Sequence, residues 1–320
     1  MDERTLIQTC FDRPSSAAGA GRRDVIAGIG DDAAVLRVEP GFDLVVATDM
    51  VVAGTHFPEG IPPASIGHRA LAVNLSDLGA MAAEPLWFSL ALSLPVADEA
   101  WTSAFAQGMF ALADRHAITL IGGDTVRGPL GATVTVHGRA RPGCAVLRTG
   151  AAPGDGIWVT GHPGDAVAGR LLLPAADNRP EAEALRQRFL YPEPRVREGL
   201  QLAGIATAML DVSDGLDDDI RKLMEASGMG AELDAASLQL SAALRLVRPA
   251  DAVELALTGG DDYELCFTVR PADEARLRGV AAGWSVPVTR IGTVVARPGC
   301  EWWLDGRPFA VPDTTYRHFT

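Results

Sequence analysis

The chain has 320 residues, more than one compact core usually holds, so two domains are expected. Its 28 basic and 41 acidic residues leave a net charge of −13, which excludes nucleic acid as a bulk partner because a phosphate backbone needs basic surface. Hydrophobic residues make up 48% of the chain, enough for a large buried core, and no apolar run approaches the roughly 18 residues that span a bilayer. The charged start, MDERTLIQTCFDR, shows no secretory signal, and the four cysteines (Cys10, Cys144, Cys266, Cys300) are far apart without a CxxC pair. Reduced thiols in a cytoplasm are the expectation. Lys222 is the only lysine, so a GxxxxGK[ST] phosphate loop is absent, and any phosphate must be held by arginine, backbone N–H groups or metal.

In chain order, residues 24–38 read as a strand, a GIGDD turn and a second strand, and DLVVATDM (43–50) as a third strand. A helix is expected from about Ser65, as N-cap, to Met81. WFSLALSL (87–94) reads as a strand. Trp101, Phe105, Met109 and Leu112 mark a helix over Asp98–His116. ITLIGGDT is expected to be a strand ending in a turn, and ATVTVHGRA an alternating strand. The Pro/Gly-rich stretch 139–161 sets the expected domain boundary near residue 146: 1–146, then 147–320. Helices follow at Ala166–Leu173, within 175–195 and at Val196–Ala208. AMLDVSD reads as strand and turn, Leu216–Ser227 as a helix closed by Gly228, VELALTGGDDYELCFTV as strand–turn–strand, and PVTRIGTVV as a strand. Trp302 and Trp303 alternate on a strand, so at least one belongs to the core. The mixture, with many hairpin-like pairs, points to an α+β fold.

Apolar segments repeatedly end or break at carboxylates: Asp31 and Asp32 in AGIGDDAAV, Asp49 in VVATDM, Asp77 in AVNLSDLGAM, Asp124 in LIGGDTV, Asp211 and Asp214 in LDVSDGL, Asp261 and Asp262 in LTGGDDYEL. Any one of these is an ordinary turn former. Asp217, Asp218 and Asp219 fit the first turn of a helix, facing water. Asp77 is different. It shares a helix face with Ile66, Ala70 and Val73, where a carboxylate is costly unless paired or metal-bound. Several carboxylates without a cysteine or histidine pair imply a hard cation, and magnesium fits, since it takes oxygen ligands and phosphate oxygens together. Arg148 and Arg127 are candidate phosphate clamps.

The motifs GIGDDAAV, ATDMVVAGTHF, AVNLSDLGAMAAEP, LIGGDTVRGPL, LRTGAAPGDGIWVTG, LDVSDGL and LTGGDDYELCFT, with a weaker TTYRHF, resemble thiamine-monophosphate kinase in order and over most of the chain. The wider superfamily (aminoimidazole ribonucleotide synthetase, selenophosphate synthetase, the hydrogenase maturation factor) shares the acidic turns without the GGxDYEL and VAGxHF pair. The resemblance implies two α+β domains: an N-terminal metal- and ATP-binding domain whose mixed or antiparallel sheet pairs into a barrel-like homodimer, and a C-terminal α/β sandwich completing the site. It implies ATP-dependent phosphorylation of thiamine monophosphate to thiamine diphosphate with several Mg2+ ions. Asp32, Thr48, Asp49, Asp77, Asp124, Asp211 and Asp214 match the magnesium ligands. Gly123, Asp124, Arg148 and Ser213 match nucleotide contacts, and His56, Asp261 and Tyr316 match contacts to the thiamine phosphate. Two positions depart from the pattern: Ala47 replaces a frequent hydroxyl residue, and Asp261 stands where Glu is more frequent.

The acceptor would be an already anionic phosphate oxygen, so no covalent nucleophile or general base is expected. Catalysis would consist of aligning two anions whose mutual repulsion is about 4 kcal/mol at about 4 Å and a dielectric near 20. A superfamily synthetase acting on a carbonyl or amide oxygen would want a Lys or Cys near the first glycine turn, and GIGDDAAV has neither. A non-catalytic nucleotide or thiamine diphosphate sensor would tolerate loss of the metal carboxylates, nearly all of which are present.

Overall fold

The computed structural model describes residues 3–12 and 23–312. The chain forms two compact units, Met1–Leu78 with Ala83–Gly143, and Gly79–Ala82 with Cys144–Thr320.

The first unit runs α1 (Glu3–Cys10), β1 (Val25–Ala27), β2 (Val35–Leu36), β3 (Asp43–Val52), α2 (Pro63–Ala80), β4 (Glu84–Leu94), α3 (Glu99–Arg115), β5 (Thr119–Arg127) and β6 (Gly131–Ala140). β1 and β2 make a short hairpin. The main sheet has the order β3-β6-β4-β5, antiparallel except for the parallel β4–β5 pair. Alternation along β4 and β6 buries Leu90, Leu92, Val134 and Val136. These form the unit's core with Leu71, Leu75 and Leu78 of α2 and Phe105, Met109 and Leu112 of α3. Asp98 caps α3 by accepting the N–H groups of Ala100 (2.9 Å) and Trp101 (3.1 Å). The opposite sheet face is open, and Leu44, Val46, Met50 and Val126 are exposed. Among the described residues no barrel closes within the chain.

Two expectations are corrected here. α2 begins at Pro63, and the Ser65 hydroxyl donates to the Pro62 carbonyl (2.7 Å) inside the first turn, so Ser65 is not the N-cap. The strand through LIGGDT does not turn at Asp124. β5 continues to Arg127, because β4 offers a parallel partner to that point (Ala91 opposite Asp124, Leu94 opposite Arg127).

The second unit runs β7 (Gly156–Thr160), α4 (Asp165–Leu172), α5 (Pro180–Leu190), α6 (Val196–Leu202), β8 (Ala206–Val212), α7 (Leu216–Ser227), β9 (Gly230–Asp234), α8 (Ala242–Val247), α9 (Ala252–Thr258), β10 (Glu264–Val269), α10 (Glu274–Ala281), β11 (Val288–Val295), β12 (Gly299–Leu304) and β13 (Arg307–Phe309). Its sheet order is β13-β12-β9-β11-β7-β10-β8, antiparallel except between β12 and β9. With the other sheet it makes the fold mixed α+β. Ile157, Val159, Leu210, Val212, Leu216, Ile220, Leu223 and Trp302 belong to one buried cluster, and Trp303 stays exposed.

α7 ends at Gly228, which is left-handed (φ 67°). α6 stops at Leu202, short of the expected Ala208, because left-handed Gly204 follows and Ala206 opens β8. VELALT is helical, not a strand. Its alternation also satisfies i, i+4 spacing (Ala252–Ala256, Val253–Leu257), and so short a run does not discriminate. Glu264 is fully buried. It accepts from Arg195 Nε (2.6 Å), Arg188 (2.8 Å) and the Thr160 hydroxyl (2.7 Å). Burial would raise its pKa, and the Arg195 charge overrides this and holds it at about 2.

Candidate active site

Three of the expected residues in the first unit share one hollow. A cavity of about 860 Å³ is walled by Ile7 of α1 and Phe11 just after it, by the Gly28–Ala34 loop carrying Asp31 and Asp32, and by Gly122–Thr125 of β5. Asp31, Asp32 and Asp124 are all exposed. β5 can carry Asp124 beside β4 because position 123 is glycine: a Cβ there would sit 1.8 Å from the Leu90 carbonyl oxygen. Asp124 accepts the Thr125 N–H at 2.9 Å, which fixes its carboxylate.

Thr48, Asp49 and Asp77 are set by β3 and α2. Thr48 opposes Thr135 across the strands, and their hydroxyls meet at 2.9 Å on the open face. The Asp49 N–H donates to Asn74 Oδ1 (2.9 Å), and Asn74 Nδ2 donates to the Ala70 carbonyl (3.0 Å). Asp77 lies one turn beyond Asn74. It is half-buried at the end of the stripe formed by Ile66, Ala70 and Val73, which are buried as expected. Asn74, within AVNLSDL, is not among the residues expected at the site. Its signal was an amide among apolar residues, one turn before the carboxylate.

His56 lies in the turn after β3, where its Nδ1 accepts the Val52 N–H at 3.1 Å. In the neutral ring the proton is therefore on Nε2, which makes that nitrogen a donor.

In the second unit the DVSDG and TGGDDYEL turns run side by side. The Asp261 N–H donates to the Ser213 carbonyl (2.9 Å) and the Tyr263 N–H to the Val212 carbonyl (2.8 Å). This brings Asp211, Ser213, Asp214 and Asp261 into one neighbourhood. Gly260 is needed for the approach, since its Cβ would lie 2.5 Å from the Ser213 oxygen. Asp261 (φ 71°) and Tyr263 (φ 52°) are left-handed, strained for a tyrosine above all, and the Tyr263 hydroxyl donates to Asp261 at 3.2 Å. Buried Asp262 accepts the Gly164 (2.7 Å) and Ala166 (3.1 Å) N–H groups where α4 begins; burial raises its pKa well above the ordinary value.

Asp211 lies within β8, directly after the apolar AML as expected, and is buried. Asp219 does not face water. It is 2% exposed, and one carboxylate oxygen accepts the N–H groups of Ser213 (2.9 Å), Asp214 (3.0 Å) and Gly215 (3.2 Å). Asp217 accepts from Trp302 Nε1 at 2.7 Å. The Leu147 carbonyl bonds the Met209 N–H, early in β8, and the Arg148 carbonyl accepts from Ser227. Tyr316 lies outside the described residues.

The donors are carboxylate and hydroxyl oxygens, in part exposed, a set that suits a hard divalent cation such as magnesium.

The AIR synthase related protein family matches the chain in two parts, its N-terminal domain over residues 30–140 and its C-terminal domain over 152–304. The thiamine-monophosphate kinase of Salmonella typhimurium is 44% identical over 322 residues, covering 99% of this chain and 98% of its own. The crystal structure of thiamine-monophosphate kinase from Stenotrophomonas maltophilia K279a superposes with a TM-score of 0.85 at 45% identity, covering 91% and 94% of the two chains. A structure of AaThiL complexed with AMPPCP and TMP superposes with a TM-score of 0.78 at 29% identity, covering 88% and 89%. The chain thus belongs to the AIR synthase related family and, within it, to the thiamine-monophosphate kinases.

Proposed function

We propose that this protein phosphorylates thiamine monophosphate with ATP, giving thiamine diphosphate and ADP. The observation that carries the reading is the full-length 44% identity to a thiamine-monophosphate kinase, in a chain that keeps the acidic turns. Magnesium would be held by Asp32, Thr48, Asp49, Asp77 and Asp124 in the first unit and by Asp211 and Asp214 in the second. When bound, it supplies charge neutralisation between phosphate groups. Gly123, Asp124, Arg148 and Ser213 serve the nucleotide; His56, Asp261 and Tyr316 serve the thiamine phosphate.

The chain's own work is positioning. Asn74 sets Asp49, Asp219 sets the DVSDG turn, and His56 Nε2 donates a hydrogen bond to a phosphate oxygen without having to remove a proton. The acceptor oxygen is already anionic, so transfer is direct and no side chain is phosphorylated on the way. The absence of lysine and cysteine from GIGDDAAV disfavours a relative that activates a carbonyl or amide oxygen.

The exposed Leu44, Val46, Met50 and Val126 on the open sheet face support a homodimer formed through that face; sedimentation of Val46→Glu as a monomer against a wild-type dimer tests it. Among the described residues no helix is long and apolar enough to cross a membrane, and a cytoplasmic location belongs to the same proposal. The activity test is to mix protein, ATP, Mg2+ and thiamine monophosphate. Equal amounts of thiamine diphosphate and ADP are expected. ADP without thiamine diphosphate, or a stable phosphoprotein formed from ATP alone, would contradict the reading.

A further inference from the structure

The single lysine of the chain stands where a cation is wanted. Lys222, on α7, places its ammonium 2.7 Å from Asp218 and 2.8 Å from Asp219, and pairs it with Asp214 in the turn ahead of the helix. Oxygens of these three carboxylates lie within 4.8 Å of one another. An ammonium has three donors and here meets three acceptors. The contacts are unequal. The Asp219 side chain is 3% exposed and its other oxygen is held by three backbone N–H groups, whereas the Asp214 side chain is 53% exposed. Asp219 therefore anchors the lysine, while Asp214 is free to turn toward a second cation.

We propose that Lys222 is a positioning residue: a tethered counter-cation that neutralises the Asp214–Asp218–Asp219 cluster and competes with magnesium for Asp214. This rests on the reading of Asp214 as a magnesium ligand. A carboxylate already against an ammonium attracts a divalent ion less, both because part of its charge is neutralised and because the ammonium repels the ion. The lysine thus raises the magnesium concentration at which the enzyme half-saturates. In the absence of substrate it also keeps the three carboxylates from gathering a metal of their own.

The test uses full-length Lys222→Gln, Lys222→Arg and Asp214→Asn, with Lys222→Met as the substitute should the glutamine variant fail to fold. Thiamine diphosphate formation is followed against Mg2+ at fixed ATP and thiamine monophosphate, and Mn2+ binding to the protein alone is counted by loss of the free-ion resonance. Lys222→Gln is expected to lower the half-saturating Mg2+ about fivefold, on the scale of removing one nearby unit charge, and to add one bound Mn2+. Lys222→Arg, which keeps the charge, is expected to stay near wild type, and Asp214→Asn to raise the half-saturating Mg2+. An unchanged or raised value in Lys222→Gln, with Asp214→Asn still shifted, overturns the proposal and leaves the ligand reading standing. A Lys222→Arg variant that follows the glutamine variant also overturns it. Asp214→Asn without any shift removes the ligand reading and the proposal together.

Discussion

Asn74 on α2 and Asp49 on β3 are joined by one hydrogen bond, Asp49 N–H to Asn74 Oδ1 at 2.9 Å, and the amide's other end is held by the Ala70 carbonyl. Asn74 is completely buried. One side chain thereby sets the strand that carries Thr48 and Asp49 against the helix that carries Asp77.

Asn74→Ala leaves the Asp49 N–H and the Ala70 carbonyl short of this partner, and should destabilise the protein by about 1–3 kcal/mol. Thiamine diphosphate formation should fall more than stability alone explains, because the Asp49 backbone loses its reference to α2. Urea unfolding and steady-state rates on the same sample check both. Wild-type values in both measurements would remove Asn74 from the positioning scheme.

Buried Glu264 gives an acid-sensitive core. Its ordinary pKa of 4.5 is depressed to about 2 by Arg195, against the opposing effect of burial. A depressed carboxylate stabilises the fold above its unfolded pKa and loses that contribution as pH falls through the folded one. Wild-type stability should therefore drop between about pH 4.5 and 2 through this group. Glu264→Gln takes from buried Arg195 the carboxylate it is hydrogen-bonded to and should cost about 3–5 kcal/mol at neutral pH. The variant should also show a shallower acid loss, read from urea midpoints at several pH values.

Much of this was legible from the chain. The α7 helix and its Gly228 stop, the acidic turns and the α+β class follow from periodicity, glycine placement and charge. The misreadings have local causes. VELALT satisfies two periodicities and is too short to choose. LIGGDT is extended beyond its apolar part by a partner strand, a tertiary fact. Asp219 looked like one of three equivalent helix-start carboxylates. Only the folded turn shows that it alone reaches back to the N–H groups of residues 213–215. Asn74 was missed, and Lys222 stood out only as the single lysine, because one amide or one ammonium has no period; their contacts appear only when long-range or helix-to-turn partners are placed.

Adjacent glycines in β5 should behave oppositely. Gly123→Ala drives a Cβ to 1.8 Å from the Leu90 carbonyl oxygen, so backbone must move, at an expected cost of about 1–3 kcal/mol and with loss of activity. The Gly122 Cβ would meet nothing within 4 Å, so Gly122→Ala should melt at the wild-type temperature. Equal melting of the two variants would show that β5 does not depend on the close approach at 123.

Asp77 separates a structural from a functional carboxylate. It continues the stripe Ile66, Ala70, Val73, all buried, on a helix that also buries Asn74 and Ser76. If that carboxylate served the fold, Asp77→Asn would weaken the protein and leave residual activity roughly in proportion to the folded fraction. If it serves to bind magnesium, the neutral isostere should unfold within about 1 kcal/mol of wild type. Its rate of thiamine diphosphate formation should then fall at least about a hundredfold, the scale of a lost charge-stabilising contact in a transition state. Added Mg2+ should recover little of this, since the missing ligand alters the geometry as well as the affinity. The wild-type enzyme, by contrast, should lose its activity in excess chelator and regain it fully when Mg2+ is restored. Paired unfolding and rate measurements on Asp77→Asn distinguish the two roles, and a destabilised but active variant would take Asp77 out of the site.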